Sequence, residues 1–313
     1  MKGLELSEKY YNEFGAPMIH ALFPDIEGMI AVGLCGSGSE CFGFDDEISA
    51  DHDFEPGFCM FIPDEEIIDR QTAFALEKAY NSLPKEFMGY KRSIMNPVGG
   101  KRTGVIRIGD FLKSKTGSES GILSTEEWFS IPEYSLAEAV NGKIFRDDLG
   151  MISEIRSHLS EMPDNVRLKK LAGNLLLMGQ SGQYNYSRCL SHGETAAAQL
   201  AVSEFVQSTM KCIFLLNKAY MPYYKWSFRA LSSLPLLSDL YGKLEYLISS
   251  GNNGDEAKKK TEIIEKICAD IIAEVKKQNL SDFSGNSAEG HAYAVNNKIS
   301  NSEIRNLHIL FAV

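Results

Sequence analysis

Apolar residues recur with two different periods along this chain of 313 residues. In the first half, short continuous apolar runs at 29–35 and 58–62 are typical of buried strands. From about residue 148 onward, apolar positions fall at three- and four-residue spacing, which predicts helices. The pattern therefore predicts a first domain of mixed helices and strands at residues 1–147 and an all-helical domain at residues 148–313.

Further elements follow from the same spacing. In the first half it predicts helices over 5–23, broken at Pro17, and over 64–81. A strand-rich region is expected at 86–112, and a short last strand after the Asn141-Gly142 turn signal. Helices in the second half are predicted over 150–160, 164–181, 193–220, 225–249, 255–278 and 287–299.

Two polar motifs stand beside the apolar runs of the first half. Gly36-Ser37-Gly38-Ser39 follows the first run, and the pair Asp51 and Asp53 comes shortly before the second. In an extended chain both aspartates project to the same side, where their carboxylates repel by about 4 kcal/mol at an effective dielectric near 20. A divalent cation is the usual compensation, and a small-residue loop with free N–H groups suits phosphate. Together the motifs predict phosphate held next to Mg²⁺.

This arrangement resembles the nucleotidyltransferase superfamily, whose signature is a strand, a Gly-Ser turn and an Asp-x-Asp on the next strand. Residues 36–54 are similar to a bacterial family of nucleotidyltransferase-like proteins of unassigned function, and so are residues 182–188 and 223–229. That family often has Asp-Trp-Gly-Pro where this chain has Asp53-Phe54-Glu55-Pro56. The resemblance implies an α/β (α+β) nucleotidyltransferase domain with a small mixed sheet, followed by an all-helical domain.

The resemblance also implies roles for particular residues. Asp51 and Asp53 would hold one or two Mg²⁺ ions, and a later carboxylate, for which Asp110 is the candidate, would complete the metal site. Glu194 is the candidate general base. The expected contacts to a nucleoside triphosphate, with ATP as the expected one, are Gly36, Ser37, Gly38 and Ser39 in the loop, and Tyr224, Lys225 and Arg229 in the helical half.

The helical-half residues have a second interpretation. Aromatic side chains mixed with lysine and arginine suit stacking on a base and binding of phosphate. The same residue types also occur where helices pack and long side chains extend to solvent. The sequence leaves both interpretations open for the polar stretches 183–194 and 217–229.

Composition limits the classes of partner. The formal net charge of −10 argues against broad affinity for nucleic acid. Lysines and arginines are concentrated only at 91–115, which is either a solvated hairpin or a flap that meets phosphate. No apolar run reaches the length of a membrane span, no signal-peptide pattern is present, and the six cysteines are scattered. These features predict a cytoplasmic protein with reduced thiols and no membrane partner.

The leading hypothesis is an enzyme that transfers a nucleoside monophosphate from the triphosphate to a hydroxyl of a small-molecule acceptor, with Mg²⁺. Two alternatives stay open: transfer to a protein or an RNA end, and nucleotide-binding regulation without catalysis. The basic stretch at 91–115 favours transfer to a macromolecule. A third carboxylate is expected on the strand at 104–108, but Asp110 lies just beyond it and the expected position could be Ile106, which favours the regulator.

Overall fold

A computed structural model describes residues 1–47, 55–92, 102–311 and 313. Asp51 and Asp53 therefore lie outside the described residues. The chain forms two compact units. The first comprises Met1–Glu127 and Ile131–Glu161, and the second comprises Trp128–Ser130 and Met162–Val313.

The helices of the first unit are short. They are α1 Gly3–Tyr10, α2 Ala16–Leu22, α3 Arg70–Ser82, α4 Ile108–Thr116, α5 Thr125–Ser130 (whose last residues belong to the second unit), α6 Glu133–Val140 and α7 Met151–Leu159. A π-helical turn, Tyr11–Gly15, joins α1 to α2. Pro17 stands in the first turn of α2, where a missing N–H is tolerated.

Within the described residues, four strands of the first unit form a mixed sheet in the order β5-β2-β1-β6. The strands are β1 Ala31–Leu34, β2 Cys59–Ile62, β5 Gly104–Arg107 and β6 Lys143–Arg146, and a separate ribbon pairs β3 Glu86–Phe87 with β4 Tyr90–Lys91. β1 is antiparallel to β2 and β6, whereas β2 and β5 are parallel. The predicted small mixed sheet is confirmed.

Side chains on the two faces of the sheet enter different packing layers. On one face, Val32 and Met60 belong to a buried core that also contains Leu76 of α3 and Tyr10 of α1. On the other face, the Phe61 ring packs edge-on against Phe111 of α4, with centroids 5.2 Å apart. The sheet therefore has helices on both faces, as a strand buried on two sides requires.

The second unit is helical, which confirms the predicted helical C-terminal region. Its helices are α8 Asp164–Met178, α9 Ser187–Ser191, α10 Thr195–Leu216, α11 Tyr224–Leu231, α12 Tyr241–Ser249, α13 Gly254–Lys277, α14 Ala288–Asn297 and α15 Ser302–Asn306. A π-helical segment, Gly179–Tyr186, connects α8 to α9. The buried faces of α8, α10, α13 and α14 share one apolar core.

Three sequence predictions of secondary structure were wrong. The strand-rich region predicted to extend to residue 112 ends at Arg107, where α4 begins and buries Phe111 and Leu112. The single helix predicted over 225–249 is two helices, because Pro235 lies between them and Leu237 has a φ of +63°. The helix predicted over 64–81 begins only at residue 70, where the Asp69 side chain accepts from the Thr72 N–H at 2.7 Å.

Among the described residues, no helix is both long and apolar enough to cross a membrane.

Candidate functional site

The glycine loop, residues 36–39, leaves the sheet at the end where β2, β5 and β6 begin. β1 ends at Leu34, and its antiparallel pairing of Gly33 with Cys59 places the start of β2 at the same end. The parallel pairing of Cys59 with Gly104 brings the start of β5 there as well. This end of the sheet is therefore where residues from three strand connections converge.

The loop itself needs glycine. Gly36 and Gly38 have φ values of +105° and +123°, which other residues rarely adopt. The Asn141 side chain holds Gly36 from both sides: its Oδ1 accepts from the Gly36 N–H and its Nδ2 donates to the Gly36 carbonyl, both at 2.8 Å. The Gly36 N–H is thus already used. In contrast, no described residue accepts a hydrogen bond from the backbone N–H of Ser37, Gly38 or Ser39.

A cavity of about 630 Å³ opens beside the loop, a volume typical of small-molecule sites. One face of α4 lines it, because Arg107, Asp110, Phe111, Ser114 and Lys115 recur at three- and four-residue spacing. The remaining lining residues are Cys35, Gly36, Ser37, Cys59, Ile62, Ala73, Glu77, Arg102, Val105 and Ile106. The cavity therefore combines apolar side chains with three cationic ones, Arg102, Arg107 and Lys115, and two acidic ones, Glu77 and Asp110.

Lys115 joins α4 to α6 and to the loop. Its ammonium donates to Glu138 Oε2 at 2.6 Å and to the Ser37 hydroxyl at 3.2 Å, and that hydroxyl donates to the same Glu138 oxygen at 2.9 Å. The Lys115 and Glu138 side chains are only 16% and 20% exposed, so solvent screens this ion pair less than a surface pair.

Arg102 and Arg107 are held in different ways. Arg102 forms a largely buried ion pair with Glu40, and burial lowers the pKa of its guanidinium. Arg107 donates to two backbone carbonyls, Pro63 O at 2.7 Å and Ile68 O at 3.0 Å. Both side chains are thus fixed at the cavity wall by specific partners.

These contacts change the interpretation of the basic stretch at 91–115. Its described cations do not form one solvated hairpin: Arg92 stacks over the Tyr80 ring at 4.3 Å, and Lys113 pairs with Glu119 at 2.7 Å. Of the cations in the described part of this stretch, Arg102, Arg107 and Lys115 line the cavity. The stretch therefore contributes local charge to the cavity as well as surface ion pairs.

The carboxylates predicted for the metal site are only partly described. Asp110 is exposed in the first turn of α4 and lines the same cavity as Gly36 and Ser37. β5 itself carries no acid. Within the described ranges, no three His, Cys, Asp or Glu side chains are grouped to hold a metal ion. Of the three predicted ligands, the described residues include only Asp110, whereas Asp51 and Asp53 lie outside them.

Thiols beside the cavity are not activated. Cys35, Cys41 and Cys59 are buried, and none of them forms a disulfide with a described residue. Burial raises the pKa of Cys35 to about 11 and raises that of Cys41 well above its ordinary value. A raised pKa favours the protonated thiol at neutral pH, which is the weaker nucleophile.

The predicted residues of the helical half lie in the second unit. Glu194 is exposed at the N-terminus of α10. Tyr224 is 75% exposed at the start of α11, and its ring centroid is 4.4 Å from that of Tyr223. The Lys225 ammonium and the Arg229 guanidinium lie 4.8 and 5.6 Å from the Trp226 ring centroid. The structure thus brings Lys225 and Arg229 together on one aromatic side chain.

Part of the polar stretch at 183–194 serves helix packing. Gln183 donates to Glu265 at 2.9 Å and accepts from the Ala288 N–H at 2.9 Å. The buried Tyr186 hydroxyl donates to Asn252 at 3.2 Å. For these two side chains the packing interpretation is therefore the correct one.

Sequence reasoning missed the residues that complete the cavity. Lys115 and Glu138 were not singled out, and neither was Asn141, which appeared only as half of a turn signal. No local motif marks them: Ser37 is 78 residues from Lys115 and 101 from Glu138 along the chain. The one available signal was the excess of cations at 91–115.

Comparison with known proteins gives one family match. Residues 128–227, about a third of the chain, match a family described as "Domain of unknown function (DUF4037)". The match includes residues 182–188 and the first part of α11, and it does not include the glycine loop. No curated protein matches the chain significantly.

Proposed function

We propose that the protein is a nucleotidyltransferase that uses a nucleoside triphosphate and modifies a hydroxyl of a small acceptor. The observation that supports this most is the cavity beside the glycine loop. Three backbone N–H groups of this loop donate no hydrogen bond to any described residue. The cationic side chains of Arg102, Arg107 and Lys115 line the same cavity. Convergent N–H groups and cations are the usual recognition elements for phosphate.

The proposed reaction is a displacement at the α-phosphorus. The acceptor oxygen forms a bond to phosphorus, the bond from phosphorus to the α,β-bridging oxygen breaks, and pyrophosphate leaves with that electron pair. The acceptor proton passes to a base, for which Glu194 is the proposed residue. Asp51 and Asp53, with Asp110, would hold Mg²⁺, which neutralises phosphate charge when it is bound.

Labelled substrate tests this proposal. The protein is incubated with each α-labelled nucleoside triphosphate, Mg²⁺ and a fractionated cell extract, and label is sought in small molecules, protein and RNA. We expect transfer to a small molecule, and we expect Asp51→Asn and Asp53→Asn to reduce it by several orders of magnitude while the protein stays folded.

The matched control is Asp64→Asn, which removes an exposed carboxylate that does not line the cavity. We expect this variant to transfer label at the parent rate. Near-normal transfer by Asp51→Asn would contradict the proposed metal site. Label in protein or RNA alone would move the acceptor to a macromolecule.

A regulator that binds nucleotide without catalysis is the second candidate. It is favoured by the described part of β5, which carries no acid, and by the exposure of Asp110 on α4. Triphosphate binding without transfer to any acceptor is the result that this candidate predicts.

A further inference from the structure

Lys115 and Ser37 are both hydrogen-bonded to the same carboxylate oxygen of Glu138. A single carboxylate oxygen, Glu138 Oε2, accepts from the Lys115 ammonium at 2.6 Å and from the Ser37 hydroxyl at 2.9 Å. An oxygen that carries negative charge and accepts from a lysine and a loop hydroxyl is in the same chemical situation as a bound phosphate oxygen.

We propose that Lys115 and Ser37 form an anion subsite for a polyphosphate, and that the Glu138 carboxylate occupies this subsite in the free protein. The proposal rests on the proposed function in taking a nucleoside triphosphate as the natural ligand. It adds that Glu138 competes with that ligand, so that the protein carries an internal anion at its own phosphate site.

The charges of the cavity support this assignment. Arg107 is fixed by two backbone carbonyls, which carry no net charge, and Arg102 is paired with Glu40. Like Arg102, Lys115 is paired with a carboxylate that does not line the cavity, here Glu138 of α6, but the same Glu138 oxygen also accepts from the hydroxyl of Ser37 in the glycine loop. Exchange of that carboxylate for a ligand oxygen keeps Lys115 and Ser37 hydrogen-bonded.

The alternative role for Glu138 is to position Lys115. In that case the carboxylate orients the ammonium toward the ligand, and its loss weakens binding. The two roles predict opposite signs for Glu138→Gln, because removal of a competitor strengthens binding.

Calorimetric titration of inorganic tripolyphosphate into the protein, with and without Mg²⁺, measures the subsite directly. We expect Glu138→Gln to bind about tenfold more tightly than the parent, since a nearby negative charge is lost. Lys115→Met should bind about ten- to a hundredfold more weakly, and Ser37→Ala about two- to tenfold more weakly.

Lys113 and Glu119 provide matched controls. They form an exposed ion pair of 2.7 Å on the same helix and the loop after it, and neither lines the cavity. Lys113→Met and Glu119→Gln should bind as the parent does. If Lys115→Met fails to fold, Lys115→Gln keeps a polar side chain without the charge and is expected to show the same loss.

Weaker binding by Glu138→Gln would overturn the competition and make Glu138 a positioning residue. Parent-like binding by the Lys115 variants would overturn the subsite. Failure of the proposed function is a separate result: tripolyphosphate would then bind with the expected pattern while no nucleotide is transferred. Transfer that depends on Asp51 but not on Lys115 or Glu138 would overturn the subsite alone.

Discussion

Gly38 lies in a backbone conformation and a space that exclude other residues. Its φ is +123°, and a β-carbon there would collide with the Arg102 guanidinium and lie 2.7 Å from Glu40 Oε1. We expect Gly38→Ala to lower the free energy of unfolding by about 1–3 kcal/mol. The substitution strains the backbone, and it also displaces the largely buried Arg102–Glu40 ion pair. Urea denaturation of both proteins measures the difference.

Gly43→Ala is the matched control for the backbone contribution. Gly43 also has a positive φ, +70°, but a β-carbon added there would meet no atom of the described chain within 4 Å beyond its immediate neighbours. We expect its cost to stay near the left-handed penalty of about 1 kcal/mol. Equal costs at both positions would show that the Arg102–Glu40 pair moves aside freely.

The sequence predicts that Gly36 and Gly38 let the backbone approach phosphate oxygens closely. The structure adds an internal reason, because the Arg102–Glu40 pair already lies against Gly38. Loss of nucleotide binding in a Gly38 variant would therefore not separate the two reasons. Substitutions at Ser37 and Lys115 test phosphate binding more directly, since they leave the loop backbone unchanged.

At the scale of elements, the sequence was most informative where one pattern is repeated over many residues. α13 was predicted almost to the residue, because buried apolar residues recur at helical spacing from Ala257 to Val275, along most of its 24 residues. α5 and α6 were missed, being only 6 and 8 residues long. A local signal for α5 did exist: Ser124 and Glu127 form a capping box.

The candidate site was predicted only in its local part. The glycine loop could be found because its residues are consecutive. Lys115, Glu138 and Asn141 reach that loop only through the packing of α4 and of the segment from α6 to β6, and no local spacing encodes such contacts. The sequence therefore indicated where phosphate is expected but not which cation would meet it.

The loop before α14 depends on a buried histidine. His291 is fully buried; its Nδ1 lies 2.7 Å from the Ser281 hydroxyl and its Nε2 lies 2.9 Å from the Gly285 carbonyl. Burial lowers the pKa of His291 below its ordinary value of 6.5. The unfolded chain therefore binds a proton at this residue at a higher pH than the folded chain does.

The sign of the pH dependence follows. Above pH 6.5 the contribution of neutral His291 to stability is complete, and it is lost as the pH falls below that value. The loss is at most about 1.4 kcal/mol per pH unit for one proton. We expect His291→Gln to be less stable than the parent at pH 7.5 but to lose less further stability between about pH 7 and pH 5.

Thermal and urea unfolding across this pH range test the prediction. His192→Gln is the control, because His192 is exposed before α10. That variant should follow the parent profile. A parent-like slope in His291→Gln would mean that other groups cause the loss of stability below pH 6.5.

At the scale of the whole molecule, the net negative charge of this chain repels an anionic substrate, so local groups of cationic side chains must attract it. The net charge is −10, yet residues 205–238 contain Lys211, Lys218, Lys225 and Arg229 and no acid. The cavity of the first unit is the other place where cations gather. Each unit thus has a local excess of cations, along the sequence at 205–238 in the second unit and in the cavity of the first, so binding of phosphate does not require general affinity for nucleic acid.

Two variants in the second unit test whether that unit takes part in triphosphate binding, in catalysis or in neither. Lys225 is exposed beside the Trp226 ring, and Glu194 is exposed at the start of α10. If Lys225 binds phosphate, Lys225→Ala should weaken triphosphate affinity by about tenfold or more. If Glu194 is the base, Glu194→Gln should bind triphosphate normally and reduce turnover by about 10²–10⁴.

Triphosphate titration and label transfer, measured on the same preparations, separate these outcomes. Lys258→Ala, which removes an 80% exposed lysine of α13, is the control and should match the parent in both assays. Binding and turnover are measured separately. A loss of turnover alone would assign a chemical role to the helical unit, and a loss of affinity alone would assign it a role in substrate binding. If both variants have the affinity and the turnover of the parent, Lys225 and Glu194 have no role in binding or catalysis. Recognition of the nucleotide would then be assigned to the first unit.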